Sequence, residues 1–244
     1  VGGAGEDWLT GGNGNDTLLG GTGDDVLDDA TSGNLLNGGA DTDTLRVIGA
    51  MALPNIVGTA FANIEMLIGA GTADSLTGTT GNDLFQLLSP GCVNWNTLTI
   101  MGFETISGGA GSDRVQGSDS AAESFVMTTA GFCVDGWTKT LFTNLEFLSG
   151  GGGAFADSLT LSSGNDTVSA NGARATIAIN GLPISDFEII LGGDGSDKLQ
   201  GANDFADIFN LTSSGVTVAG LSNVRFNGFE TLSGGGGNDA FVIS

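Results

Sequence analysis

Apolar residues recur at a fixed interval through the first fifth of the chain: Leu9, Leu18, Leu27, Leu36 and Leu45 are each nine residues apart. Nine fits neither the 3.6-residue period of a helix nor the simple alternation of a strand. It fits a repeating unit that brings one apolar side chain back to the same core once per unit. The polar positions between the leucines repeat as strictly. Residues 2–28 read GGAGEDWLT, GGNGNDTLL and GGTGDDVLD: two glycines, a third glycine at position four, Asp at position six and an apolar residue at position eight. Residues 29–37 (DATSGNLLN) keep Leu36 and put Asn34 where Asp is expected. Residues 38–46 (GGADTDTLR) restore Asp43 and Leu45, with Asp41 replacing the third glycine.

This spelling has a chemical reading. Glycine accepts positive φ and lets a tight turn direct its carbonyl oxygens to one side. The Asp at position six adds a carboxylate, and a hard cation such as Ca²⁺ is bound by six to eight oxygens of these two kinds. One turn supplies too few, but two stacked turns supply enough. If two nonapeptides complete one coil, motif n lies beneath motif n+2, so Asp7, Asp25 and Asp43 line one edge and Asp16 and Asn34 the other. The Asp7/Asp25 pair is then the first expected site, Asp25/Asp43 the second and Asp16/Asn34 the weakest. The expected ligands are the carboxylates of Asp7, Asp16, Asp25 and Asp43 and the carbonyls of Gly2, Ala4, Gly11, Asn13, Gly20 and Thr22.

From about residue 46 a longer period takes over. NIEMLIGAGTADSL, GFETISGGAGSDRV, NLEFLSGGGGAFADSL, DFEIILGGDGSDKL and GFETLSGGGGNDAF place Glu65, Glu104, Glu146, Glu188 and Glu230 at intervals of 39, 42, 42 and 42 residues. Each repeat keeps a glycine-rich turn and an Asp, so Asp74, Asp113, Asp197 and Asp239 are further candidate calcium ligands, as is Asp157. The alternative for each is an Asp that only hydrogen-bonds its own turn. The recurrent Glu reads as a surface carboxylate held by a turn or a stacking position at a strand end rather than a ligand. Phe85, Phe125 and Phe209, with Val168 at the equivalent place, read as core, and Trp95 and Trp137 as core or surface stacking rather than ligand binding. The looser part of each repeat, with runs such as TLTIMGF and TIAING, reads as a second coil of about 20 residues, also parallel.

The expectation is therefore an all-β, right-handed parallel β-solenoid of roughly a dozen coils. Nonapeptide coils occupy 1–46 and ~42-residue repeats occupy 47–244, in one continuous domain. On this reading Cys92 and Cys133, at equivalent places in successive repeats, are too far apart to bridge and form two free, buried thiols.

Composition narrows the function. With 28 acidic residues against 6 basic ones the net charge is −22, which opposes compaction unless cations neutralise it and excludes nucleic acid as a partner. The absence of His removes zinc-protease, Ser-His-Asp and Cys-His chemistry. Arg46, Arg114, Lys139, Arg174, Lys198 and Arg225 do not cluster in sequence. No run of 18 apolar residues is present to span a membrane, and VGGAGED shows neither the basic nor the apolar region of a cleavable leader, so the expectation is that a leader was removed or that export uses a signal outside this stretch.

The nonapeptides of residues 2–46, and more loosely the repeats of 60–244, resemble the RTX family of glycine- and aspartate-rich proteins secreted by Gram-negative bacteria. The resemblance implies Ca²⁺ as cofactor, calcium-driven folding, type I export and an extracellular or cell-surface location. The function expected from it is a non-catalytic structural or adhesive segment, with self-association, neighbouring repeats or glycans as partners. The alternative is the β-helix module of a polysaccharide lyase or epimerase. A chain that opens and closes inside its repeat pattern also suggests end-to-end stacking into a filament or an S-layer-like lattice.

Overall fold

The computed structural model describes residues 1–29, 34–47, 50–52, 61–137 and 140–244. Among them every regular element is a β-strand. Packing groups the chain into two units, Val1–Arg114 with Trp137–Leu145, and Val115–Gly136 with Glu146–Ser244.

In the first unit the nonapeptides form two parallel stacks. Strands Gly3–Ala4, Thr17–Thr22, Leu35–Ala40 and Phe61–Ala62 pair in one, with Leu18 opposite Leu36 and Leu36 opposite Phe61. Trp8–Thr10, Val26–Asp28, Thr44–Val47, Met66–Gly69 and Leu98–Met101 pair in the other, aligning Leu9, Leu27, Leu45, Leu67 and Ile100. The register advances by 18 residues per layer through the nonapeptides, so motifs n and n+2 lie one above the other. Leu27, Leu36, Leu45 and Leu67 are wholly buried, and each such leucine contributes about 1.5–3 kcal/mol of burial free energy. Ala50–Ala52, Ser75–Thr77, Thr105–Ser107 and Leu141–Thr143 form a further parallel stack.

The longer repeats differ from expectation in one respect. Their loose half is not a second parallel coil but an antiparallel meander set within a sheet. In the first unit, Leu84–Ser89, Cys92–Trp95 and Leu98–Met101 run up, down and up, turning at Gly91 and Asn96, both of positive φ. In the second unit, Thr167–Asn171, Thr176–Ile179 and Leu182–Ser185 form one meander, and Ile208–Thr212, Gly215–Val218 and Arg225–Asn227 another. Ser124–Met127 and Phe132–Val134 make a hairpin of the same kind. The physical reason is the turn chemistry: Asn180-Gly181, with φ of 50° and 93°, is the two-residue hairpin turn that reverses a strand. Between meanders the chain returns to single parallel strands, with Phe125, Leu159, Ile190 and Phe226 aligned in one column and Val168, Leu199 and Leu232 in another.

Phe85, Phe125, Val168 and Phe209 are fully buried, and Trp95 nearly so; Trp137 is half-buried. Both cysteines are free, as expected, but half-buried rather than buried.

Candidate metal centre

The glycine-rich turns are built by alternating backbone hand. Gly3 and Gly5 take φ of 129° and 106°, and Gly21 and Gly23 take 132° and 107°; L-residues rarely adopt such values. The turns stack as a narrow parallel ribbon, in which the Gly2 N–H donates to the Leu19 carbonyl and the Gly5 N–H to the Thr22 carbonyl, both at 2.8 Å. Ala4 lies opposite Thr22 and Gly3 opposite Gly21.

Each position-six carboxylate holds the layer before it. The Asp7 N–H donates to Asp25 Oδ1 (2.8 Å), the Asp25 N–H to Asp43 Oδ1 (2.8 Å), and the Asp43 N–H to Glu65 Oε2 (2.9 Å). The second edge has the same bond from the Asp16 N–H to Asn34 Oδ1 (2.7 Å). Further ladders in the first unit run from Asp74 to Glu104 (2.7 Å) and from Asp83 to Asp113 (2.8 Å). In the second unit they run Glu123–Asp157–Glu188, Asp166–Asp197–Glu230 and Asp207–Asp239, at 2.7–2.9 Å.

These ladders explain the recurrent glutamate. Glu65, Glu104, Glu188 and Glu230 occupy the same rung as Asp, reached by a shorter turn in which Asn63, Gly102, Asp186 or Gly228 takes positive φ two residues earlier. The longer side chain spans what the shorter turn omits. Asn, Asp and Gly are the residues that tolerate this backbone conformation.

In Asp25, Asp43 and Asp197 Oδ1 bonds the ladder and Oδ2 is left over. Oδ2 of Asp7, Asp16, Asp25, Asp43 and Asp197 is buried without a hydrogen-bond partner. A buried acceptor in this state costs about 1–3 kcal/mol, more when charged. The position-one glycine of each turn leaves a slot beside that oxygen. A Cβ on Gly2 would come within 2.8 Å of the Gly20 carbonyl and 2.5 Å of Asp7 Oδ2. A Cβ on Gly20 would collide with Asp25 Oδ2 and the Gly38 carbonyl, and on Gly192 with the Gly228 carbonyl while lying 2.9 Å from Asp197 Oδ2. Carboxylate and carbonyl oxygens therefore converge on one small cradle per turn, an all-oxygen donor set suited to a hard cation. Among the described residues no three His, Cys, Asp or Glu side chains gather as a metal cage, so an ion held here takes much of its coordination from main-chain carbonyls.

Electrostatics agree. Burial is the largest cause raising the Asp43 carboxyl above its ordinary value. The Asp25 N–H opposes it, and repulsion from Asp25, Glu65 and Asp24 adds to it. Burial likewise raises Asp197, with the Asp166 N–H opposing and Asp166 and Glu230 repelling. Burial and the charge of Asp157 push Glu123 up to about 7, and burial raises Asp157 to about 6. A cation bound beside such carboxylates would oppose these shifts and favour their ionised form.

The remaining residues expected from sequence fall as follows. Gly11 carries the position-one slot of the Asp16 turn, where an added Cβ would lie 3.0 Å from Asp16 Oδ2. Asn13 is exposed between Gly12 and Gly14, both of positive φ. Oδ2 of Asp74 accepts the Gly71 N–H at 2.5 Å, and Asp113 and Asp239 each accept a ladder bond through Oδ1. Sequence reasoning did not single out Thr79, Ser162 or Asn180, whose donors close other carboxylates. Thr79 and Ser162 stand at position two, where the calcium motif has glycine, and that departure was the available signal. Lys139 lies outside the described residues.

Parallel layers tied by carboxylate rungs, with glycine cradles beside the leftover oxygens, define a repeat protein whose turns are metal-binding elements. A family model described as an RTX calcium-binding nonapeptide repeat in four copies matches residues 1–28, 68–86, 101–121, 151–174 and 226–241. These segments carry RTX calcium-binding nonapeptide repeats, and such repeats bind Ca²⁺. No curated protein and no solved structure matches the chain.

Proposed function

We propose that the chain is a calcium-stabilised, right-handed β-solenoid that serves as a non-catalytic structural or adhesive segment of a secreted or cell-surface bacterial protein. The observation that carries the proposal is the row of buried, partnerless Oδ2 atoms at Asp7, Asp25, Asp43, Asp16 and Asp197, each beside a cradle closed by a glycine. The carboxylates of these residues hold the ions, with carbonyls of the position-one and position-three residues completing them, as at Gly2, Ala4, Gly20 and Thr22. Ca²⁺ supplies charge neutralisation there; the chain supplies a preformed set of oxygens and excludes water from them.

The functional consequence is a folding switch. At a net charge of −22 the folded chain is only marginally stable where calcium is scarce, as inside a cell, and firmly stable where calcium is abundant outside. Ligand binding to the folded state alone stabilises it by mass action. An enzymatic role has little to draw on. A groove of about 470 Å³ in the second unit is lined by Ser169, Ala178, Pro183 and Gln200 among others, and its one carboxylate, Asp204, is ion-paired with Arg174 at 2.7 Å.

The test is titration of chelated protein with Ca²⁺, followed by calorimetry, circular dichroism and light scattering. Binding of several ions with a gain of β-structure supports the proposal; complete β-structure in chelator and no binding overturn it. Growth in particle size at the same step extends the reading to assembly into a filament or lattice, and constant size confines it to a single segment.

A further inference from the structure

Two groups of carboxylates stand out among the turns, and they differ in what comes next in the chain; Asp74, before the single strand Ser75–Thr77 but met at Oδ2 by the Gly71 N–H, falls in neither. Those with a partnerless buried Oδ2 (Asp7, Asp16, Asp25, Asp43 and Asp197) all precede a single parallel strand. Those that precede a meander or hairpin are closed by donors from the protein itself. Asp83, before the meander that starts at Leu84, accepts the Thr79 N–H (2.6 Å) and hydroxyl (2.9 Å) at Oδ2 and the Trp95 indole N–H at Oδ1 (2.8 Å). Asp166, before Thr167, accepts the Ser162 N–H (3.0 Å) and hydroxyl (2.8 Å) at Oδ2 and the Asn180 amide at Oδ1 (2.6 Å). Asp207, before Ile208, accepts the Ala202 N–H at Oδ2 (2.6 Å), and Glu123, before Ser124, accepts the Ser118 N–H (3.2 Å).

In all four closed turns position two is Thr, Ser or Ala, and its N–H points back at the carboxylate. In the turns of Asp7, Asp16, Asp25, Asp43 and Asp197 position two is glycine at positive φ, and its N–H makes no hydrogen bond to Oδ2. At Asp83 and Asp166 a further donor arrives from the meander itself, on Trp95 and Asn180. A carboxylate with three such donors has spent the lone pairs that a cation needs, whereas one with a buried bare oxygen has not.

We infer that calcium occupies only the open turns, including the Gly192–Asp197 turn that lies outside every segment matched by the family model, and that the closed turns of Asp83 and Asp166 are calcium-free staples, although both lie inside matched segments. The staples fasten each meander to the stack without an ion. This inference rests on the calcium-binding reading above and adds which turns carry it out.

Asp166 and Asp197 are adjacent rungs of one ladder, so they form a matched pair for a test on the full chain. Calcium per chain is counted by calorimetry and by metal analysis after gel filtration for wild type, Asp197→Asn, Asp166→Asn and Ser162→Ala. Circular dichroism in calcium checks that each is folded. The expected result is one ion fewer for Asp197→Asn and an unchanged number for Ser162→Ala and for Asp166→Asn, with both latter variants melting lower in chelator. If Asp166→Asn fails to fold, Ser162→Ala alone decides, because it removes only the hydroxyl donor. Loss of an ion from Ser162→Ala, or no loss from Asp197→Asn, overturns the inference while leaving the general calcium reading intact. A wild type that binds no calcium overturns both.

Discussion

Replacing Asp25 by Asn separates the two jobs of a position-six carboxylate. Asp25 is 1% exposed; its Oδ1 holds the Asp7 N–H, its own N–H is held by Asp43, and its Oδ2 has no partner. Asparagine keeps the Oδ1 acceptor and places an amide donor where Oδ2 was, facing the slot that the Gly38 carbonyl borders. The chain already holds this arrangement once, since Asn34 accepts the Asp16 N–H at 2.7 Å. Without calcium, the substitution removes a buried unsatisfied acceptor worth about 1–3 kcal/mol. At roughly 2–4 °C per kcal/mol for a chain of this size, the melting temperature in chelator rises by several degrees. With calcium, the site loses a carboxylate ligand and its affinity falls on the order of tenfold or more, about 1.4 kcal/mol per factor of ten. Thermal melts followed by circular dichroism, in chelator and in saturating calcium, read both effects. A lower melting temperature in chelator together with an undiminished gain on adding calcium would refute the reasoning, because Oδ2 would then be neither orphaned nor a ligand.

Four other outcomes follow from the same geometry. Glu123 and Asp157, held up to about 7 and 6 mainly by burial, keep protons in the folded state that the unfolded chain has released. Stability in chelator is therefore fully expressed below about pH 4, the ordinary carboxylate range, and is lost as pH rises through 6 and 7; denaturant melts across pH 4–8 measure it, and a rise in stability over that range would contradict the assignment. Gly20→Ala places a methyl against Asp25 Oδ2 and the Gly38 carbonyl, costing about 1–3 kcal/mol and weakening calcium binding, as calorimetry will show. Leu45→Ala, at a wholly buried position, should cost about 2–5 kcal/mol in urea denaturation with calcium present. Trp95→Phe removes the indole donor to Asp83 and should lower stability by about 1–3 kcal/mol equally in calcium and in chelator, since that carboxylate is closed by the protein.

Much of the site is legible in the nonapeptides because a single short unit writes both its core residue and its ligand. Leu27 and Asp25 fall two residues apart, so the spacing that buries one fixes the height of the other, and an 18-residue register follows once two units make a layer. The glutamates are legible as a series through their 42-residue spacing. Their role as rungs required seeing that a shorter turn at Asn63 or Gly228 brings a longer side chain to the same amide.

The sequence by itself determined the repeat, the core column of leucines, the carboxylate edge and the kind of cation they suit, because these depend on residues within one or two units of each other. Only the tertiary structure decided the direction of the strands between Leu84 and Met101 or between Thr167 and Ser185. An alternating apolar run pairs as well with an antiparallel neighbour as with a parallel one, and the choice lies in turns such as Asn180-Gly181. It also decided which carboxylates remain open. The turns of Asp166 and Asp197 differ in sequence at position two, Ser162 against Gly193, but that Ser162 and Asn180 both reach the Asp166 carboxylate is a matter of three-dimensional proximity.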